Sequence, residues 1–82
     1  MNTNIKKWVA ENYPNEFQID LIKPDLSFEQ LWEMMKDGKD VYKVASIDGN
    51  GFDSAVREEI FNGMSETLNI RYDTIYHTWL NM

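Results

Sequence analysis

The chain has 82 residues, 43% of them hydrophobic and 27% charged, which is enough for one core and too few to divide between two. Fourteen Asp and Glu against eight Lys and Arg give a net charge of −6, a balance that repels phosphate and anionic lipid. There is no cysteine, hence no disulfide framework or thiolate chemistry, and no apolar run approaches the ~20 residues that cross a bilayer. A single all-α domain over 1–82, cytoplasmic and with no membrane insertion, is expected.

Ile5, Trp8 and Val9 at helical spacing predict a first helix over residues 4–12, with Thr3 or Asn4 as its N-cap and Pro14 as its stop. In residues 16–22, Phe17, Ile19 and Leu21 alternate with Gln18 and Asp20. No second strand is available to pair with them, so an extended connector laid on the helices is expected. Ser27 and Gln30 have the spacing of a capping box, and Leu26 and Leu31 that of a hydrophobic staple. Phe28, Leu31, Trp32 and Met35 continue as an apolar stripe, and Gly38 suits the left-handed residue that closes a helix. Asp40 is placed to cap a further short helix carrying Val41, Tyr42, Val44 and Ala45.

Residues 48–53, Asp-Gly-Asn-Gly-Phe-Asp, have loop composition. Asp53 or Ser54 then caps a helix over about 54–68, on which Val56, Ile60, Met64 and Leu68 recur every fourth residue beside Phe61. Gly63 weakens that helix by about 1 kcal/mol relative to alanine and is a place for a kink. Asn69 can take the left-handed turn, and a last helix over 72–80 carries Tyr72, Ile75, Tyr76, Trp79 and Leu80. The outcome is four or five helices.

Three constellations bear on function. Residues 61–80 follow the apolar pattern of a helix-turn-helix, with small Ser65 facing the partner helix, Asn69 at the turn, and Ile70 and Ile75 buried. Reading a duplex also needs cations and base-edge donors, yet residues 72–80 contain no Lys or Arg. Asp48-Gly-Asn-Gly resembles the middle of a calcium loop, but aligned on Gly51 the first ligand position is Ser46 and the twelfth is Arg57, where a bidentate Glu is required. A glycine turn followed by a capped helix explains it more simply. Catalysis has little to build on. His77 is the only histidine, Ser27, Ser46, Ser54 and Ser65 have no base beside them, and neither cofactor nor metal is expected.

Eleven aromatics and five methionines exceed what one small core needs, and interfaces recruit such side chains. A hydrophobic docking face is therefore expected, drawn from Trp32 and Met35 on the capped helix and Tyr72, Tyr76 and Trp79 on the last, with Glu58, Glu59 and Asp73 as rim charges. Core packing is the competing explanation for each aromatic. An acidic rim favours an amphipathic, basic protein segment, and a second copy of the chain is the other occupant to consider.

The stretches Asp40-Val-Tyr-Lys-Val-Ala-Ser, Val56-Arg-Glu-Glu-Ile-Phe and Tyr72-Asp-Thr-Ile-Tyr-His-Thr-Trp-Leu, with the overall length, resemble the lysis-inhibition accessory proteins of T-even bacteriophages. The resemblance implies a cytoplasmic antiholin. Such a protein has no catalytic residues; it binds the cytoplasmic N-terminal domain of the phage holin and delays membrane permeabilisation. A helix-turn-helix DNA-binding regulator is the alternative.

Overall fold

The structure, a computed structural model, describes residues 4–16, 19, 22, 25–39 and 54–82, with 54–56 as backbone only. Among these residues there are four helices and no strand: α1 (Ile5–Asn12), α2 (Phe28–Lys36), α3 (Ser54–Leu68) and α4 (Tyr72–Leu80). The expected short helix after Asp40, the loop 48–53 with its calcium-like spacing, and the caps at Asp53 and Ser54 lie outside what is described.

Four of the described helix ends have an identifiable chemical cause. Asn4 caps α1, its side-chain oxygen accepting from Lys7 N–H at 3.0 Å. The Ser27–Gln30 capping box closes in both directions, at 2.9 and 3.2 Å. At the other end of α2, Gly38 is left-handed (φ 77°); its N–H donates to the Met35 carbonyl and Lys39 N–H to that of Met34, both at 3.0 Å. These are the two bonds of a Schellman motif. The end of α3 repeats the device with asparagine: Asn69 has φ 55°, and Ile70 N–H reaches back five residues to the Ser65 carbonyl at 3.2 Å.

The buried side chains come from every described helix: Ile5 and Val9 of α1, Phe28, Leu31 and Met35 of α2, Ile60, Phe61 and Met64 of α3, and Ile75 of α4. Burying each such chain contributes about 1.5–3 kcal/mol. Helices α2, α3 and α4 pack pairwise. The radius of gyration of 11.5 Å matches the ~12 Å of a folded chain this long. Helix α1 is tied in through its N-terminus, where Ile5 N–H donates to the Leu26 carbonyl at 2.8 Å, and through Trp8, which meets Phe28 edge-to-face at 5.9 Å.

Of the expected connector over residues 16–22 only Glu16, Ile19 and Ile22 are described: Ile22 N–H donates to the Ile19 carbonyl at 3.1 Å, and Ile22 is buried in the core. The alternation of Phe17, Ile19 and Leu21 does not single out Ile22, which the structure places in the core. At Gly63 the helix runs on from Ser54 to Leu68. Glycine suits the position because Phe28 Cζ lies 2.9 Å from where a Cβ would stand, so the Phe28 ring of α2 fills the space a side chain on residue 63 would need.

Candidate functional site

Helix α4 carries Ile75 inward and an aromatic row beside it. Tyr72, Tyr76 and Trp79 stand at i, i+4 and i+7, so they line one side of the helix. The two tyrosine rings are stacked, 6.2 Å apart and 15° from parallel, and Tyr76 meets Trp79 at 5.8 Å. Buried Phe61 of α3 supports the row from beneath, edge-to-face with Tyr72 at 6.2 Å and with Trp79 at 5.8 Å. All three rings of the row are half-buried. Next along the helix, Leu80 is 54% exposed, unusually open for a leucine.

Charge surrounds this row unevenly. The Arg57 guanidinium lies 4.6 Å from the Trp79 ring centroid, a cation–π contact that covers that end. Asp73 is exposed, with Arg71 Nη2 at 3.9 Å in a solvent-screened pair that contributes little. The Tyr72 phenol is held above its ordinary value of 10.0, first by desolvation, then by the Glu58 carboxylate, with Arg57 opposing and Tyr76 and Asp73 adding. At neutral pH it therefore remains a hydroxyl donor.

Five of the eight expected site residues thus come together: Tyr72, Tyr76 and Trp79 in the row, Glu58 and Asp73 at its edges. Met35 does not belong with them. It is 1% exposed, because the Phe28–Leu31–Met35 side of α2 is the one turned into the core, and it cannot present itself to a partner. Trp32, at the edge of that stripe, is half-buried against the core, and among the described residues no ring contact joins it to the α4 row. Glu59 is half-buried on α3, rotated about 100° from Glu58 by the helix, and is not among the charges acting on Tyr72. Arg57 and Leu80 complete the face and buried Phe61 supports it, although none of the three was singled out as a site residue from the sequence. Arg57 meets Trp79 across two helices, a contact that no spacing along the chain reports.

Among the described serine side chains, Ser27 and Ser65 have structural roles. Ser27 caps α2, and Ser65 Oγ donates to the Ile70 carbonyl while its own carbonyl accepts from Ile70 N–H. His77 is exposed and lines an open groove of about 490 Å³ with Lys36, Thr74, Thr78 and Asn81. In that groove Thr78 Oγ1 donates to the Thr74 carbonyl and Asn81 Nδ2 to the His77 carbonyl, so these polar atoms serve the end of their own helix. Among the described residues no group of three or more His, Asp or Glu side chains is placed to hold a metal ion. No helix among them is long and apolar enough to cross a membrane. Comparison with protein-family models, with curated proteins and with solved structures finds no significant match.

Proposed function

We propose that this chain acts by stoichiometric binding to another protein, in the manner of the phage antiholins its sequence resembles, holding a soluble segment of a membrane protein in a state unable to assemble. The observation that carries the reading is the half-exposed Tyr72–Tyr76–Trp79 row continued by exposed Leu80 on one helix. A core has no use for the outer half of such a strip, whereas an interface gains most from aromatic side chains. Binding would shift the partner's assembly equilibrium by mass action and requires no reaction.

The test is calorimetric titration of the full chain with the cytoplasmic N-terminal segment of a T-even holin. Micromolar or tighter binding that is lost in Tyr76→Ala and Leu80→Asp supports the reading. Absence of binding at high protein concentration overturns the antiholin assignment.

Helix-turn-helix DNA binding has the tight α3–α4 turn in its favour. Against it, α4 has no Lys or Arg, residues 54–82 carry a net charge of −2, and Arg57 stacks on Trp79. A mobility-shift assay at low salt decides it, since a duplex shift under those permissive conditions would revive this reading.

A further inference from the structure

The α4 face differs from an ordinary apolar patch in the kind of group its edges can receive. The exposed carboxylates of α3 and α4 are Glu58, Glu66 and Asp73, whereas the exposed cation of this region is Arg71, loosely placed against Asp73 with both side chains more than three-quarters solvent-accessible. The other arginine, Arg57, is half-buried over Trp79. Two features then converge on the tyrosine pair. Tyr72 and Tyr76 are stacked nearly parallel and each is only half-buried, and an accessible aromatic ring is a surface on which a planar guanidinium stacks better than an ammonium ion. Two carboxylates bear on the pair: exposed Glu58 of α3 helps raise the Tyr72 pKa, and Asp73, three residues before Tyr76, is its neighbour on α4. The row already holds one guanidinium in this manner, that of Arg57 on Trp79.

We infer that the Tyr72–Tyr76 pair, with the exposed carboxylates Glu58 and Asp73 of α3 and α4, is a seat for an arginine side chain of the partner protein, with Leu80 taking an apolar residue beside it. The inference rests on reading this face as a docking surface and specifies the partner as an amphipathic segment whose basic residue is arginine. The net charge of −6 attracts such a segment from a distance, and the ring pair with its two carboxylates selects the guanidinium at contact.

A short amphipathic helical peptide with leucine along one face and arginine along the other is the probe, titrated into the full chain and followed by the aromatic proton resonances of Tyr72 and Tyr76. Binding is expected to weaken about fivefold when lysine replaces arginine, and by a similar factor in the Glu58→Gln/Asp73→Asn double variant. The charge-matched control Glu11→Gln/Glu16→Gln, outside α3 and α4, should change it less than twofold. Equal affinity for the lysine peptide, equal weakening by both double variants, or no response of the two tyrosines overturns the arginine seat. None of these results bears on whether the holin segment binds, so the two readings fail separately.

Discussion

Phe28 and Gly63 are fitted to one another: the tip of the buried Phe28 ring lies 2.9 Å from the position a Cβ on residue 63 would occupy. Helix propensity alone makes Gly63→Ala stabilising by about 1 kcal/mol. The ring cannot readily move, being 1% exposed and held edge-to-face by Trp8, so overpacking by about 1–3 kcal/mol opposes the gain. Gly63→Ala is expected to lower stability by about 1 kcal/mol in chemical denaturation. In a Phe28→Leu background, where the ring is absent, the same substitution should become neutral or favourable, a coupling that a double-mutant cycle measures. A stabilised single variant would show that the ring has room.

The turn between α3 and α4 predicts a different pattern. Asn69 adopts φ 55°, where a side chain costs about 1–2 kcal/mol unless the residue is glycine or asparagine. Asn69→Gly should therefore keep the melting temperature close to that of the parent, and Asn69→Val should lower it markedly. Ser65→Ala removes the hydroxyl donated to the Ile70 carbonyl and should cost about 1 kcal/mol.

Ser27 and Gln30 satisfy each other's backbone donors at the start of α2. Ser27→Ala is expected to destabilise the chain by about 1 kcal/mol, and Ser27→Asp or Ser27→Asn to recover most of it, as read from denaturation midpoints. Because α2 supplies Phe28, Leu31 and Met35 to the core, the loss should appear in global unfolding and not as local fraying.

Tyr72 carries the pH dependence. Its proton is held more tightly in the folded chain than in the unfolded one, so below pH 10 the group contributes no slope. As pH rises through 10 the unfolded chain ionises first and stability falls until the folded-state phenol ionises as well. Tyr72→Phe should remove this part of the alkaline slope. Glu58→Gln should reduce it, since the Glu58 charge is the second cause of the shift.

Leu80 and Trp79 are adjacent in sequence and opposite in expected consequence. Leu80→Asp removes a side chain that is 54% exposed and should change stability by no more than about 0.5 kcal/mol while abolishing partner binding. Trp79→Ala removes contacts with Phe61, Tyr76 and Arg57 and should cost about 1–3 kcal/mol, less than for a fully buried ring because this one is half-exposed. Thermal melts of both variants, paired with binding assays, test the division between support and contact.

Local chemistry determined what a single chain segment can decide about itself. The Ser27–Gln30 box, the left-handed Gly38 and Asn69, and the spans of α1, α2, α3 and α4 follow from hydrogen-bonding reach and backbone sterics within a few residues, and the all-α class follows from those spans. The grouping of Tyr72, Tyr76 and Trp79 was legible for a related reason, since helical period puts the three on one side of α4. Tertiary structure decided the rest, because burial depends on which face another helix covers. Period alone could not distinguish Met35, sealed in the core, from Leu80, left open to solvent. Nor could it show that Gly63 makes room for Phe28 or that Arg57 stacks on Trp79, since both contacts join segments that only the packed fold brings together.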